Sequence, residues 1–196
     1  PHFDIHFHEG YRDLAGRTAV ILEYGYGKLS SDFEHDIAWR IPVILYASHS
    51  YFQQTNITWG LLPEGVQAFA EPARKRMVLH FSGTNADFAH TAIHELVHMF
   101  QFDLIYGSLL KSAFAQGALF NIPLWFMEGI AEYYSVGGMD ATARMFMRDA
   151  TVFDYLPFDL NYAGGYMNYK AGQSAINYIN ETYGPGKVVE IMDQLR

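Results

Sequence analysis

The sequence predicts an α+β protein, because strand-like patterns occupy its first half and helix-like patterns its second half. The chain has 196 residues, of which 50% are hydrophobic and 16% aromatic, which is enough to bury one sizeable core. No repeat, low-complexity tract or flexible linker interrupts it. We therefore predict a single domain over residues 1–196, with a mainly β lobe at 1–84 and a helical lobe at 85–196.

The chain is predicted to open with a strand and a long helix. Residues 2–8 alternate polar and apolar side chains with period two, which is typical of a half-buried strand. The sequence His6-Phe7-His8 is interpreted as the polar face of this strand rather than as a metal site. Residues 11–33 carry apolar residues at helical spacing, and this helix is predicted to end at a glycine-containing turn.

The rest of the first half predicts a sheet. Residues 37–48 are rich in β-branched and aromatic side chains and indicate a buried strand, and residues 48–65 read as a polar loop. Residues 66–83 predict a hairpin with Pro72 at its turn. Together these segments predict a mixed N-terminal sheet with an edge hairpin.

From Asn85 onwards the apolar residues recur with the period of a helix. Glycines mark the ends of several helices, and Pro123 suits the first turn of another. The predicted helices cover residues 86–107, 123–138, 140–150, 166–184 and 186–196.

Charge and composition limit the kinds of molecule that the protein is expected to bind. The net charge of −8 and the pI near 5.5 argue against a nucleic-acid or anionic-membrane partner. No apolar run is long enough to span a bilayer. Without cysteine, any bound metal must be held by His, Asp or Glu. The chain opens inside a predicted strand without methionine or a leader pattern, so we expect a mature or excised piece of a longer protein.

The segment His94-Glu95-Leu96-Val97-His98 is an H-E-x-x-H motif on a predicted helix. Residues four apart lie on one helical face, so both imidazoles can reach one Zn²⁺. Glu95 lies about 100° around the helix from His94, beside the ligands, which suits a general base acting on a metal-bound water. Flanking apolar residues favour a buried ligand helix over an amphipathic helix with incidental histidines.

His90 precedes the motif by one helical turn, but we do not expect it to be a ligand. It lies eight residues before His98, which is about 12 Å along the helix axis and about 80° around it. Three such histidines cannot all bind one ion. We interpret His90 as a cleft-wall or hydrogen-bonded histidine.

A third ligand is expected within the segment Trp125–Ser135, because catalytic zinc sites have three protein ligands and one open position. Glu128 and Glu132 are four residues apart and share a helical face. One carboxylate can bind the metal, and the other can accept the N–H of a ligating histidine and fix its tautomer. The surrounding aromatic and apolar residues argue against two simply solvated glutamates.

These residues resemble the gluzincin metallopeptidases, in which H-E-x-x-H is followed by a ligating glutamate on a second helix. The segment Trp125–Tyr133 looks like the W-x-x-E-G-x-A segment of aminopeptidase N-like enzymes, which implies that Glu128 is the ligand. Thermolysin has an acidic residue four positions after its ligating glutamate, and that residue lies behind the zinc ligands and orients one of them. By resemblance, Glu132 orients His94 or, alternatively, His98.

Most of the chain is also similar to the peptidase-MA-like domains that precede a β-propeller in some bacterial envelope proteins. The resemblance implies a zincin-like fold, a periplasmic or otherwise extracytoplasmic location, and a β-propeller as a further domain. Aminopeptidase N-like enzymes carry a tyrosine, in Y-E-K-G, that stabilises the oxyanion. Tyr169-Lys170-Ala171-Gly172 resembles that motif, which implies this role for Tyr169, with Tyr166 as the rival.

The chain also departs from these families. The stretch from His98 to Glu128 is longer than in thermolysin, so residues 104–123 are expected to form an extra helix or flap. Residues 65–72 do not reproduce the segment that anchors a free amine in aminopeptidases, so aminopeptidase activity is not expected. The hairpin can still supply an edge strand for an extended peptide.

The sequence therefore predicts a zinc-dependent peptidase acting on a peptide or protein substrate. His94, His98 and Glu128 hold Zn²⁺, Glu95 is the general base, and Tyr169 stabilises the oxyanion. Two alternatives stay open. One is a catalytically weak metal-binding module that acts in recognition or assembly within a larger envelope protein. The other is a hydrolase of a non-peptide amide or ester.

Overall fold

The computed structural model describes residues 1–54, 62, 65–81, 83–107 and 122–195. The chain divides into two compact units, Pro1–Phe100 and Gln101–Arg196. The division falls inside a helix that runs from Asn85 to Tyr106. The prediction of a single domain with lobes at 1–84 and 85–196 stays a prediction. Among the described residues, no helix is both long and apolar enough to cross a membrane.

The first unit contains a four-stranded mixed sheet with the order β1-β2-β4-β3. Strands β1 and β2 are parallel, as are β2 and β4, whereas β3 and β4 are antiparallel. The predicted α+β class and the mixed sheet with an edge hairpin are therefore confirmed. The strands are β1 (Phe3–Phe7), β2 (Ile41–Tyr46), β3 (Ala68–Glu71) and β4 (Arg76–His80).

Helix α1 (Arg12–Phe33) connects the parallel strands β1 and β2. Parallel neighbours need such a crossover, because a tight turn joins only antiparallel strands. Tyr26 of α1 packs its ring edge-on against Phe3 of β1, with ring centroids 6.1 Å apart. Its ring also lies 5.1 Å from that of Phe100, near the middle of the Asn85–Tyr106 helix. The core of this unit thus joins sheet and helices through aromatic side chains.

Helix α1 does not end at its glycines, as the sequence had suggested, but runs past Gly25 and Gly27 to Phe33. Gly25 is buried, and a Cβ atom there would lie 3.1 Å from Cγ1 of Ile93. The glycine therefore allows close approach to the helix that carries Ile93, here named α3 (Asn85–Tyr106). The helix ends instead at Glu34, which adopts a left-handed conformation with φ 48°.

The predicted polar loop at 48–65 begins with a short helix, α2 (His49–Gln53). The Ser48 side chain accepts a hydrogen bond from the backbone N–H of Tyr51, which is a standard N-cap. Phe52 is completely buried, and the burial of its side chain stabilises this helix where a loop was predicted. Residues 55–61 and 63–64 of the predicted loop lie outside the described residues.

Among its described residues, the second unit contains the end of α3, four further α-helices and a short 3-10 helix at Leu160–Tyr162. All four α-helices were predicted from the sequence. Gly137 terminates the first of them in a left-handed conformation with φ 77°, and the Asp140 side chain caps the next by accepting from the Ala143 N–H. The helices are α4 (Leu124–Val136), α5 (Ala141–Val152), α6 (Tyr166–Tyr183) and α7 (Lys187–Gln194). The extra helix or flap expected at 104–123 falls largely on residues 108–121, outside the described residues.

Candidate metal centre

Helix α3 carries the predicted motif on a buried stretch. His94, Glu95 and His98 are 8%, 8% and 9% exposed, while their neighbours Leu96 and Val97 are fully buried. The imidazole centroids of His94 and His98 are 4.9 Å apart, as expected for side chains one helical turn apart. Burying three ionisable groups on one apolar helix is costly unless they are paired, hydrogen-bonded or bound to a metal.

The end of α3 also fixes where α4 lies within the second unit. Gln101 is three residues after His98, on nearly the same side of the helix. Its side chain is completely buried, and its Nε2 donates to the backbone carbonyl of Met127 at 2.9 Å. Met127 immediately precedes Glu128. A completely buried amide needs such a partner, so this bond is a strong constraint on α4.

Buried histidine and glutamate side chains of this chain could hold a metal ion. Among the described residues, one such group is His94, His98 and Glu128. One ligand atom from each of the three lies within 4.8 Å of the other two. The two histidines are buried and the glutamate is partly exposed, as suits a site with one open position. The structure thus brings together the three residues predicted as ligands, and their role as ligands stays a prediction.

A second group with the same spacing consists of His90, His94 and Glu132. The ring centroids of His90 and His94 are 6.2 Å apart, farther than those of His94 and His98. From the sequence, His90 is interpreted as a cleft-wall or hydrogen-bonded histidine and not as a ligand, and its spacing gives no relation to Glu132.

Glu132 has a partner that the sequence did not reveal. The Lys170 Nζ donates to Glu132 Oε2, and both side chains are almost completely buried. Burial lowers the pKa of Lys170, but its hydrogen bond to Glu132 and the charge of that carboxylate outweigh burial, so the pKa is raised overall. In the sequence, Lys170 stands out only as the neighbour of Tyr169. The signal in the sequence that points to a buried partner is a charged residue within the apolar pattern of a helix.

The two candidate tyrosines differ in their surroundings on α6. Tyr166 is 52% exposed and packs edge-on against Phe146, with ring centroids 5.1 Å apart. Tyr169, one turn further on, is partly buried. The choice of Tyr169 as oxyanion donor stays a prediction.

A separate cavity of about 570 Å³ lies in the first unit, at the carboxyl ends of β1 and β2. None of the predicted site residues lines it. His6 and His8, interpreted from the sequence as the polar face of β1, are at its wall. The other lining residues are Phe7, Tyr11, Ile44, Leu45, Tyr46, Ala47, Tyr51 and Gln54.

Comparison with known proteins adds no assignment. No protein-family model matches the chain, and neither the curated proteins nor the solved structures contain a significant match to it.

Proposed function

We propose that this chain is a zinc-dependent peptidase with a zincin-like fold. One observation carries the proposal. His94 and His98 lie one turn apart on a buried helix, and their ligand atoms lie within 4.8 Å of a carboxylate oxygen of Glu128. The spacing H-E-x-x-H on a helix is the known arrangement of a zinc peptidase, with the glutamate as general base. The resemblance to gluzincins supports the same assignment.

The donor set favours zinc over other divalent ions. Two imidazoles and one carboxylate form the ligand set of several catalytic zinc sites, with a fourth position open for water. Calcium and magnesium prefer sites made of oxygen atoms. Both histidines are buried, which shields a bound ion from competing solvent.

Each proposed residue has a separate task in hydrolysis. A bound zinc ion would polarise the substrate carbonyl and lower the pKa of a bound water. Glu95 accepts the proton of the attacking water and later donates it to the leaving amine. Tyr169 donates a hydrogen bond to the oxygen that becomes negatively charged as the carbonyl is attacked. Glu132 orients His94.

Strand β3 supports a peptide as the substrate. It is the antiparallel edge strand of the sheet, paired on one side with β4. An extended peptide can add to such an edge by main-chain hydrogen bonds. The expected β-propeller domain in a longer chain remains a prediction from resemblance.

The test is digestion of a mixed peptide library, read by mass spectrometry, with protein whose zinc content has been measured. We expect wild type to hold about one Zn²⁺ per chain and to cleave, since His₂Glu sites bind a single ion. Glu95→Gln should hold the same zinc and lose cleavage by at least about 10²-fold. Glu181→Gln, an exposed glutamate on α6, is the matched control and should cleave normally.

Three other outcomes separate the alternatives. Zinc without any cleavage by wild type would favour the metal-binding module, or hydrolysis of a non-peptide amide or ester. Equal cleavage by wild type and Glu95→Gln would remove Glu95 as the base. Absence of bound metal in wild type would contradict the ligand assignment itself.

A further inference from the structure

A buried ion pair joins the helix that carries Glu128 to the helix that carries Tyr169. Lys170 of α6 donates to Glu132 of α4, and their side chains are only 4% and 7% exposed. Lysine and glutamate are almost never fully buried unless they are paired. Removing either residue would take away the opposite charge that the other one faces inside the protein. The two residues therefore act as one unit.

Further contacts fix the ammonium group of Lys170. Gln173, one turn along α6 and completely buried, lies with its Oε1 3.4 Å from Nζ. The Nε2 of Gln173 donates to the Gly138 carbonyl at 2.8 Å, so the amide oxygen is the end that faces the lysine. The ring of Tyr166 lies 5.5 Å from Nζ, within the range of a cation–π contact.

This fixed ion pair distinguishes the two glutamates of α4. Glu128 belongs to one metal-capable group and Glu132 to the other, and both groups include His94. Only one of the two carboxylates is needed beside two histidines. The Lys170 ammonium already balances the charge of Glu132 and holds one of its oxygens. A cation that used the other oxygen of Glu132 would lie close to the Lys170 ammonium and would be repelled by its charge.

We propose that Lys170 is a positioning residue of the metal centre, which keeps Glu132 out of the ligand set so that Glu128 is the carboxylate ligand. Held in this way, Glu132 serves as the hydrogen-bond acceptor that orients His94. The inference rests on the proposed metal centre. It adds the residue that decides which glutamate binds the ion.

The test compares Lys170→Met, Glu132→Gln and the double variant with wild type. The dissociation constant for Zn²⁺ is measured by competition with a chromophoric chelator, and the visible absorption of the Co²⁺-loaded proteins reports the ligand set. Glu132→Gln should weaken Zn²⁺ binding by about 10–100-fold, as loss of a residue that orients a ligand does. Lys170→Met should bind Zn²⁺ at least as tightly as wild type, because it frees a carboxylate and removes a positive charge near the ion. The double variant should bind Zn²⁺ about as tightly as whichever single variant has the lower affinity, because the two residues act as a unit.

The Co²⁺ spectra give a signature that a purely structural role would not. In Lys170→Met the released Glu132 carboxylate can join the metal, so the spectrum should change. In the double variant residue 132 is a glutamine, so the wild-type spectrum should return. Lys187→Met is the matched control. It removes an exposed pair with Glu190 on α7 and should leave affinity and spectrum unchanged.

Failure of this inference differs from failure of the proposed function. If wild type binds neither Zn²⁺ nor Co²⁺, the metal centre is wrong and the inference is overturned with it. If wild type binds both and folded Lys170→Met keeps the wild-type spectrum, only the inference is wrong. If Lys170→Met does not fold, the double variant, in which no buried charge is left alone, decides. A 10–100-fold loss there supports the inference and unchanged affinity overturns it.

Discussion

Gly129 of α4 and Gly172 of α6 meet backbone to backbone. A Cβ atom on Gly129 would lie 2.4 Å from the carbonyl carbon of Gly172, and one on Gly172 would lie 2.1 Å from the carbonyl oxygen of Trp125. Real Cβ atoms do not approach other atoms so closely, so only glycine fits at either position. This contact lets α4 and α6 approach closely enough for the buried pair of Glu132 and Lys170 to form.

Gly172→Ala should therefore destabilise the protein strongly. The added methyl must push against a main-chain carbonyl, which cannot move without shifting a whole helix, and a loss of about 3 kcal/mol or more is expected. Urea denaturation measures the free energy of unfolding. Gly16→Ala is the control, since nothing lies within 4 Å of a Cβ there, and it should stabilise by about 0.4–1 kcal/mol. Similar stability of the two variants would contradict the close contact.

Substitutions at His90 and Glu128 should affect zinc affinity in opposite ways, depending on which of the two groups holds the ion. If the ion is held by His94, His98 and Glu128, Glu128→Gln should weaken zinc binding by at least about 10-fold, because a direct carboxylate ligand is lost. His90→Gln should leave the dissociation constant within about threefold of wild type, since a residue outside the ligand set contributes little. Measured zinc affinities for both variants decide the matter. The reverse order would assign the ion to His90, His94 and Glu132.

Tyr169→Phe removes one hydroxyl and tests the oxyanion role. We expect kcat for a peptide identified in the library digestion to fall by about 10²–10³-fold, with zinc content unchanged. The hydroxyl is needed only when charge develops on the carbonyl oxygen, so KM should change little. Tyr166→Phe is the matched comparison. Should its kcat fall instead while Tyr169→Phe stays active, Tyr166 would be the donor.

His80 predicts a pH dependence of stability that is independent of the metal. Burial lowers the pKa of this side chain below its usual 6.5, and the nearby His49 lowers it further, while a hydrogen bond to the Gln67 backbone partly opposes both. The unfolded chain therefore binds more protons than the folded one between the lowered pKa and about 6.5. Stability contributed by neutral His80 is complete above that window and is lost as the pH falls through it.

This rise of stability with pH is checked by denaturing wild type and His80→Phe at several pH values between about 4 and 7. The variant should show a smaller rise of unfolding free energy with pH across the window. An unchanged slope in His80→Phe would show that His80 does not lose its proton on folding.

The positions of the regular elements were predictable, because alternation and helical spacing are local properties of the sequence. For the same reason, helical spacing was enough to predict that His94, Glu95 and His98 lie on one buried helix. Two local interpretations were wrong. Gly25 does not end α1, because packing against Ile93 favours a glycine inside the helix. Residues 48–65 do not begin as a loop, because Ser48 caps a helix that buries Phe52.

The partners of the site residues were not predictable from spacing. Lys170 and Glu132 are 38 residues apart in sequence, and their pairing follows from the way α4 and α6 cross at Gly129 and Gly172. The same holds for Gln101 and Met127. Such contacts depend on tertiary geometry, and the residue types alone allow many alternatives.

The strand order β1-β2-β4-β3 has a consequence for how the first unit folds. The central strand β2 has parallel partners on both sides, so neither pairing can begin as a hairpin. Both require distant segments to meet after α1 and the later loops have been closed, which lowers the folding rate. Among the described strand pairs, β3–β4 is the one that can form locally. We therefore expect the first unit to fold slowly for its size, with unpaired strand edges exposed to other chains until β2 is in place.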